Sequence, residues 1–252
     1  MVRVRGIQVG ATHQETLLIH ELDDVCDTFT GRAMTGSWVW DSALLLSHYI
    51  STEFDLRGKT VLELGAGTGL PGLTASRLGA DRVILTDVGP LLPGLRTNVE
   101  ANGMCGRVEA YELVWGSDEL PSRLTELVGE IGVDLVLMSD VFYDPSLMGA
   151  MTKTLKMVCG RETKIWAATE VRDSAVECLT ELASHGFEAA ELASRPLSQI
   201  IRDGSNCEDV GLSDSASSGL AEEAGIVAVA ATEAGAVGAE HSVCSVAVCC
   251  SV

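Results

Sequence analysis

Two stretches near the amino terminus, VRVRGIQV and ETLLIHEL, alternate apolar and polar residues with a period of two. That alternation predicts a strand pair within residues 1–34. The run TGSWVWDSALLLSHYI, from Thr35, changes period. Ala43, Leu44, Leu46 and Tyr49 recur at helical spacing, with Asp41 or Ser42 as the candidate cap. From Lys59 onward strand-like and helix-like patterns take turns. Strands are predicted over Thr60–Leu64, Arg82–Asp87, Val108–Leu113, Val133–Ser139, Lys164–Thr169 and Phe187–Leu192. Helices are predicted over Leu70–Leu78, Leu91–Asn102, Ser122–Val128, Pro145–Val158 and Ser174–His185. The strands VILTD and VDLVLMSD are nearly unbroken apolar runs, as strands covered on both faces must be. This rhythm predicts an α/β domain over residues 35–202 with a doubly wound, mostly parallel sheet.

After Arg202 the pattern stops. Residues 203–252 are rich in Ala, Ser, Gly, Val and Glu and hold no aromatic residue. They lack the large apolar groups that offset ordering entropy, so most of this acidic tail is expected to be disordered. Gly225–Thr232, GIVAVAAT, is the exception and a candidate edge strand. The chain of 252 residues is long enough for one large core, and its net charge is −19. Eight acids and no Lys or Arg follow Arg202, so the tail carries −8 and the body −11. That balance disfavours nucleic acid and favours basic partners. Cys26, Cys105, Cys159 and Cys178 stand singly in periodic segments and are expected to be buried thiols. The chain has no pair of CxxC motifs, and its five histidines have no ligand-like spacing, so no metal is expected. MVRVRGIQVG has no apolar leader pattern, and no run reaches the ~18 apolar residues of a membrane span. A soluble cytoplasmic chain is expected, with the nucleus open.

The chemistry concentrates at Val61–Gly72, VLELGAGTGLPG, where a strand ends in an acid and a glycine turn opens into a helix. Glycines at Gly65, Gly67 and Gly69 suit positive φ and close approach, and unpaired N–H groups at a helix start suit an anion. Dinucleotide folds use GxGxxG, but here Gly65-x-Gly67-x-x-Leu70 lacks the third glycine. The chain has E-x-G-x-G-x-G instead, the pattern of S-adenosylmethionine binders. Asp87 follows Gly67 by twenty residues and ends the next strand, where an acid can accept both ribose hydroxyls. Capping of the following helix is the other reading of Asp87. Trp115, in LVWG, can lie against an adenine face or serve as a core residue.

At the fourth strand the chain reads VDLVLMSDVFYDPSL. With ELGAGTGLPGL, LTDVGPLLPGLRTNVEAN and GSWVWDSALLL, this resembles the seven-strand S-adenosylmethionine-dependent methyltransferases. More narrowly, Asp140-Val141-Phe142-Tyr143 resembles the [DE]xx[YF] motif of a protein-lysine methyltransferase group. The resemblance covers about Thr35 to Arg202 and implies a Rossmann-like sheet of seven strands behind an N-terminal β extension. It further implies that Trp40 flanks the methionine end of the cofactor and that Gly65, Ala66 and Gly67 line it. Glu63 would support the turn, Asp87 hold the ribose, Trp115 cover the adenine side and Ser139 contact the cofactor. Asp140 and Tyr143 would face the acceptor amine, and Thr169–Arg172 would support them. Relatives of this kind act on chaperones, AAA ATPases and translation factors, so a protein substrate and a monomeric enzyme are expected. The final antiparallel strand of that family has two candidates here, Ser198–Ile201 and Gly225–Thr232.

By this reading Asp140 attracts the incoming ammonium, and Phe142 or Tyr143 walls the channel. Asp140 as the cap of the helix near Pro145, and Tyr143 as plain packing, are the structural alternatives. A small-molecule acceptor, a protein histidine, or a non-catalytic binding protein of the same fold are the competing functions. Base- and amide-directed relatives tend to carry N/D-P-P-Y at this motif, unlike Asp-Val-Phe-Tyr here.

Overall fold

The computed structural model describes residues 2–10, 15–23, 25–27, 31, 33–130, 132–170, 172–196, 223–231 and 246–249. Strands β1 (Val2–Val9) and β2 (Glu15–Leu22) pair antiparallel as a separate two-stranded sheet, the expected amino-terminal extension. Helix α1 (Asp41–Glu53) follows. Its residue before the first turn is Trp40, and neither Asp41 nor Ser42 supplies a capping side chain. Its buried face is Ala43, Leu45, Leu46 and Ile50, with Leu44 and Tyr49 at the margin.

The alternation then runs β3 (Thr60–Leu64), α2 (Leu70–Arg77), β4 (Arg82–Asp87), α3 (Leu92–Ala101), β5 (Val108–Glu112), α4 (Ser122–Glu130), β6 (Leu135–Ser139), α5 (Met148–Val158), β7 (Lys164–Glu170), α6 (Asp173–Ser184) and β8 (Phe187–Pro196). Two strands come from the tail, β9 (Glu223–Ala231) and β10 (Val246–Cys249). The sheet order is β5-β4-β3-β6-β7-β10-β9-β8. Strands β3 to β7 run parallel, β10 is parallel to β7, and β9 is antiparallel to β8. The tail is thus not wholly without order: Gly225 to Ala231 of the candidate strand fall in β9, which pairs along β8, while Thr232 lies outside the described residues. Ser198–Ile201, the other candidate, lies outside the described residues, as does most of residues 203–252.

Period-two alternation in the central strands divides the core in two. Val61, Leu135 and Leu137 face one cluster with α1, α2 and α3. Leu62, Leu64, Val136 and Met138 face the other with α4, α5 and α6. Every residue of β3 is buried, which is why its sequence shows no polar face. Of the four body cysteines only Cys178 is buried; Cys26 and Cys105 are exposed and Cys159 lies between. A short apolar pattern does not say how deep its flanks lie.

The hairpin is tied to the sheet through one helix face. Asn98 and Asn102, one turn apart on α3, exchange amide bonds with the β2 backbone at His20 (2.7 and 3.2 Å) and Leu18 (2.9 and 2.8 Å). Asn98 also donates to the carbonyl of Thr68, at 3.0 Å, inside the glycine turn. The hairpin in turn holds the segment before α1. Glu21 accepts from the Val39 N–H at 2.7 Å, and the Ser37 hydroxyl donates to the Leu22 carbonyl at 2.6 Å.

Candidate active site

Adjacent strands β3 and β6 connect to opposite sides of the sheet, so their carboxyl ends open a crevice at the topological switch point. The glycine turn sits there. Gly65, Gly67 and Gly69 have φ of +65°, +54° and +80°, the left-handed conformations that their alternation predicts. A Cβ on Gly67 would stand 2.5 Å from the Gly36 carbonyl oxygen, so the segment before α1 lies directly on the turn. A Cβ on Gly65 would stand 3.0 Å from Val141 and 3.1 Å from the Trp115 ring. The loops after β3, β5 and β6 therefore meet at Gly65.

The turn amides are not left open as expected. The N–H of Ala66 donates to the Thr86 carbonyl at 2.9 Å and that of Gly69 to the Ala66 carbonyl at 2.7 Å. Two carboxylates take two more: Gly67 N–H donates to Asp87 at 2.7 Å and Gly72 N–H to Glu63 at 2.8 Å. Glu63 lies on the strand face toward α2, and the missing side chain of Gly72 makes room for it. Burial pushes the Glu63 carboxyl up to about 8, with nearby Asp87 adding to the rise, so it carries a proton at neutral pH. Its second oxygen is buried with no hydrogen-bond partner. Burial also raises the Asp87 carboxyl, against its bonds to the Gly67 and Val88 amides. Each Asp87 oxygen takes one amide, so both keep acceptor capacity.

Trp115 is half-buried, and its loop is anchored to α5. The Gly116 N–H donates to Thr154 at 2.9 Å, and Lys153 reaches the Gly116 carbonyl at 2.9 Å. Trp40 is half-buried with its indole N–H on the Thr35 carbonyl at 3.0 Å. The contact of its segment with the turn is made by Gly36, four residues earlier. Ser139 ends β6, half-buried, level with Ala168 of β7.

Asp140, the next residue, has φ +54°, the sole non-glycine in that region among the described residues. Its N–H donates to the Ala168 carbonyl at 2.7 Å and its carboxylate pairs with the Arg172 guanidinium. Arg172 also lies 3.5 Å from Glu170. Helix capping near Pro145 belongs to Asp144, which accepts from the Ser146 N–H at 2.9 Å, and not to Asp140. Phe142 is fully buried in the α5–α6 core and so does not wall a channel. Tyr143 is 52% exposed. Its hydroxyl is held above the usual phenol range by desolvation first and then by the negative charge of Asp87 and Asp144. Gly36 is the site residue that the sequence did not single out; Arg172 lies in the Thr169–Arg172 segment that the resemblance gave as support, and the structure supplies its partner, Asp140.

Charge is unevenly spread over the two ends of the sheet. The imbalance lies in the sheet's connections together with the strand and helix residues that flank them. The five at the carboxyl ends, β3 to α6, hold eight acids and one base, Arg172. The six at the amino ends, α1 to β8, hold six acids and seven bases. Among the described residues no group of three or more His, Cys, Asp and Glu is arranged to hold a metal. Among the described residues no helix is long and apolar enough to cross a membrane.

A family model described as lysine methyltransferase matches residues 24–185. The chain is 38% identical over 149 residues to the Danio rerio protein N-lysine methyltransferase METTL21A, covering 57% of this chain and 65% of that one. It is 36% identical over 173 residues to the Mus musculus EEF1A lysine methyltransferase 3, covering 67% and 66%. It is also 34% identical over 152 residues to the Xenopus laevis histone-arginine methyltransferase METTL23, covering 57% and 62%. The chain spans about two thirds of the length of these relatives.

Proposed function

Since the chain belongs to the lysine methyltransferase family, we propose that it transfers a methyl group from S-adenosylmethionine to a lysine side-chain amine of a protein. The observation that carries this reading is the meeting of two half-sites at one crevice. The glycine turn, held by Asp87, meets Trp115 and Val141 at Gly65, and Val141 lies in the loop after β6 that carries Asp140 and Tyr143. The donor set fits the cofactor. Asp87 keeps acceptor capacity for ribose hydroxyls, and Trp115 offers a flat face beside the turn. Ser139, Ala66 and Trp40 complete the surround, with Glu63 bracing the turn from beneath.

Bound S-adenosylmethionine supplies an electrophilic methyl on a sulfonium. The rest is positioning by this chain. An amine entering beside a positive charge, in a site that excludes water, is driven toward its neutral form. Asp140 attracts the ammonium and accepts its hydrogen bond while the proton leaves to solvent. Tyr143 presents a half-exposed ring and hydroxyl at the mouth, where a methylated cation can rest on the ring face. The acidic rim favours a cationic protein segment over a polyanion.

One relative is named for EEF1A, so the assay begins with that protein and continues with a cell lysate. Full-length chain with labelled cofactor should label lysine, as located by mass spectrometry. Asp140→Ala should lower the rate at least tenfold, about 1.4 kcal/mol of transition-state stabilisation, while S-adenosylhomocysteine still binds. Unchanged labelling by that variant would sink the assignment. Asp140 already accommodates a guanidinium, Arg172, so an arginine acceptor is the second reading; label on arginine alone would select it. We place the enzyme in the cytoplasm as a monomer, to be checked by fractionation and light scattering.

A further inference from the structure

We propose that Arg172 is a resident cation at Asp140 which the substrate's ammonium displaces, and that Glu170 receives the displaced guanidinium. The inference rests on the methyl-transfer reading for the identity of the incoming cation. Asp140 is pinned by backbone: it follows the last residue of β6, its φ is +54°, and its N–H is held by Ala168 of β7. Its side chain is only 10% exposed. A carboxylate so placed needs a cation when no substrate is present, because an uncompensated buried charge is strongly unfavourable. Arg172 supplies it.

Arg172 cannot deprotonate, so it cannot yield the site by losing its charge. It can only move. The second acid is already within reach, since a guanidinium nitrogen lies 3.5 Å from the Glu170 carboxylate. Glu170 is the last residue of β7, 21% exposed, and fixed by the sheet. A small rotation of the guanidinium transfers its main contact from Asp140 to Glu170 and leaves Asp140 to the ammonium. Without that transfer, guanidinium and ammonium would compete for one carboxylate beside a third positive charge. Two cations on two acids is the balanced state. Glu170 and Arg172 are therefore positioning residues, and they make the vacated site selective for a cation over a neutral acceptor.

The test uses the full chain saturated with S-adenosylhomocysteine, so that no turnover occurs, and n-butylammonium as the probe. The Arg172 Nε–H signal is followed by nitrogen–proton NMR and identified by its loss in Arg172→Lys. A saturable shift with n-butylammonium, and none with tetramethylammonium at equal ionic strength, is expected in the native chain. Asp140→Asn should abolish the shift. Glu170→Gln should weaken probe affinity about tenfold with unchanged melting temperature, and Glu170→Asp should fall between it and the native chain. Equal affinity in the native chain and Glu170→Gln, or no saturable shift in the native chain, overturns the exchange. If Glu170→Gln does not fold, Glu170→Asp decides by the same criterion. Failure of the methyl-transfer reading shows differently: no calorimetric binding of S-adenosylhomocysteine, with n-butylammonium still shifting the Arg172 signal in the chain alone.

Discussion

Replacing Glu63 by glutamine should make the protein less sensitive to alkali, and the size of the effect follows from burial. The side chain is fully buried, one oxygen accepting from Gly72 at 2.8 Å and the other without a partner. Its carboxyl sits at about 8 in the folded chain against 4.5 as the ordinary value. The sign is set by proton counts. Between those two values the folded state holds a proton that the unfolded state has lost, so stability falls as pH rises and levels off above about 8. Each pH unit is worth about 1.4 kcal/mol, so the whole interval costs about 5 kcal/mol. Glutamine keeps an oxygen for Gly72 and cannot ionise, but it puts two donors where no acceptor waits, at about 1–3 kcal/mol. Glu63→Gln should therefore be the less stable protein near pH 5 and the more stable one above pH 8, with the curves crossing about one to two units above 4.5. Urea unfolding at half-unit steps from pH 4.5 to 9 measures this directly. Two parallel curves would refute the argument, because they would mean that Glu63 ionises alike in both states.

Gly67→Ala tests the turn. Left-handed φ for alanine and a Cβ 2.5 Å from the Gly36 carbonyl should together cost about 2–3 kcal/mol, read as a lower unfolding midpoint. It should also loosen residues near Gly36, seen as faster amide exchange there. Asp87→Asn sets an amide donor against the Gly67 N–H and removes the acceptor charge, so S-adenosylhomocysteine should bind at least tenfold more weakly, about 1.4 kcal/mol. In the native chain that affinity should fall as pH drops through the raised Asp87 value, because protonation removes the acceptor; calorimetry across pH decides.

Periodicity carried the core of the fold because it is local. The five parallel strands and the helices between them announce themselves by apolar runs and by spacing. The glycine turn was legible for the same reason, since three alternate glycines leave few other backbone paths. What the chain hid is non-local. Nothing around Arg172 says that its guanidinium lies on Asp140 thirty-two residues earlier, or that Gly36 closes over Gly67. Asp140 read as a possible cap of the helix near Pro145, but its left-handed backbone and its pairing with Arg172 leave that role to Asp144. The turn's amides looked available because the acids that use them, Asp87 and Glu63, reach them only after β3 and β4 pair. Gly225–Thr232 was legible as a candidate strand, but not its place between β10 and β8, because a strand's neighbours leave no trace in its own sequence.

The unequal charge of the two sheet ends also bears on encounter. Eight acids and one base in the connections at one end of the sheet, against six acids and seven bases at the other, give these connections a charge asymmetry along the strand axis. A cationic protein drifting nearby exerts a torque on the molecule and turns the crevice forward before contact, which raises the fraction of productive collisions. The screening length is about 10 Å at 0.1 M salt, so this pre-alignment operates only in the last approach and fades as salt rises. Methyl transfer to a large cationic protein at low substrate concentration should therefore slow with added salt more steeply than transfer to a small amine, which has little charge to steer.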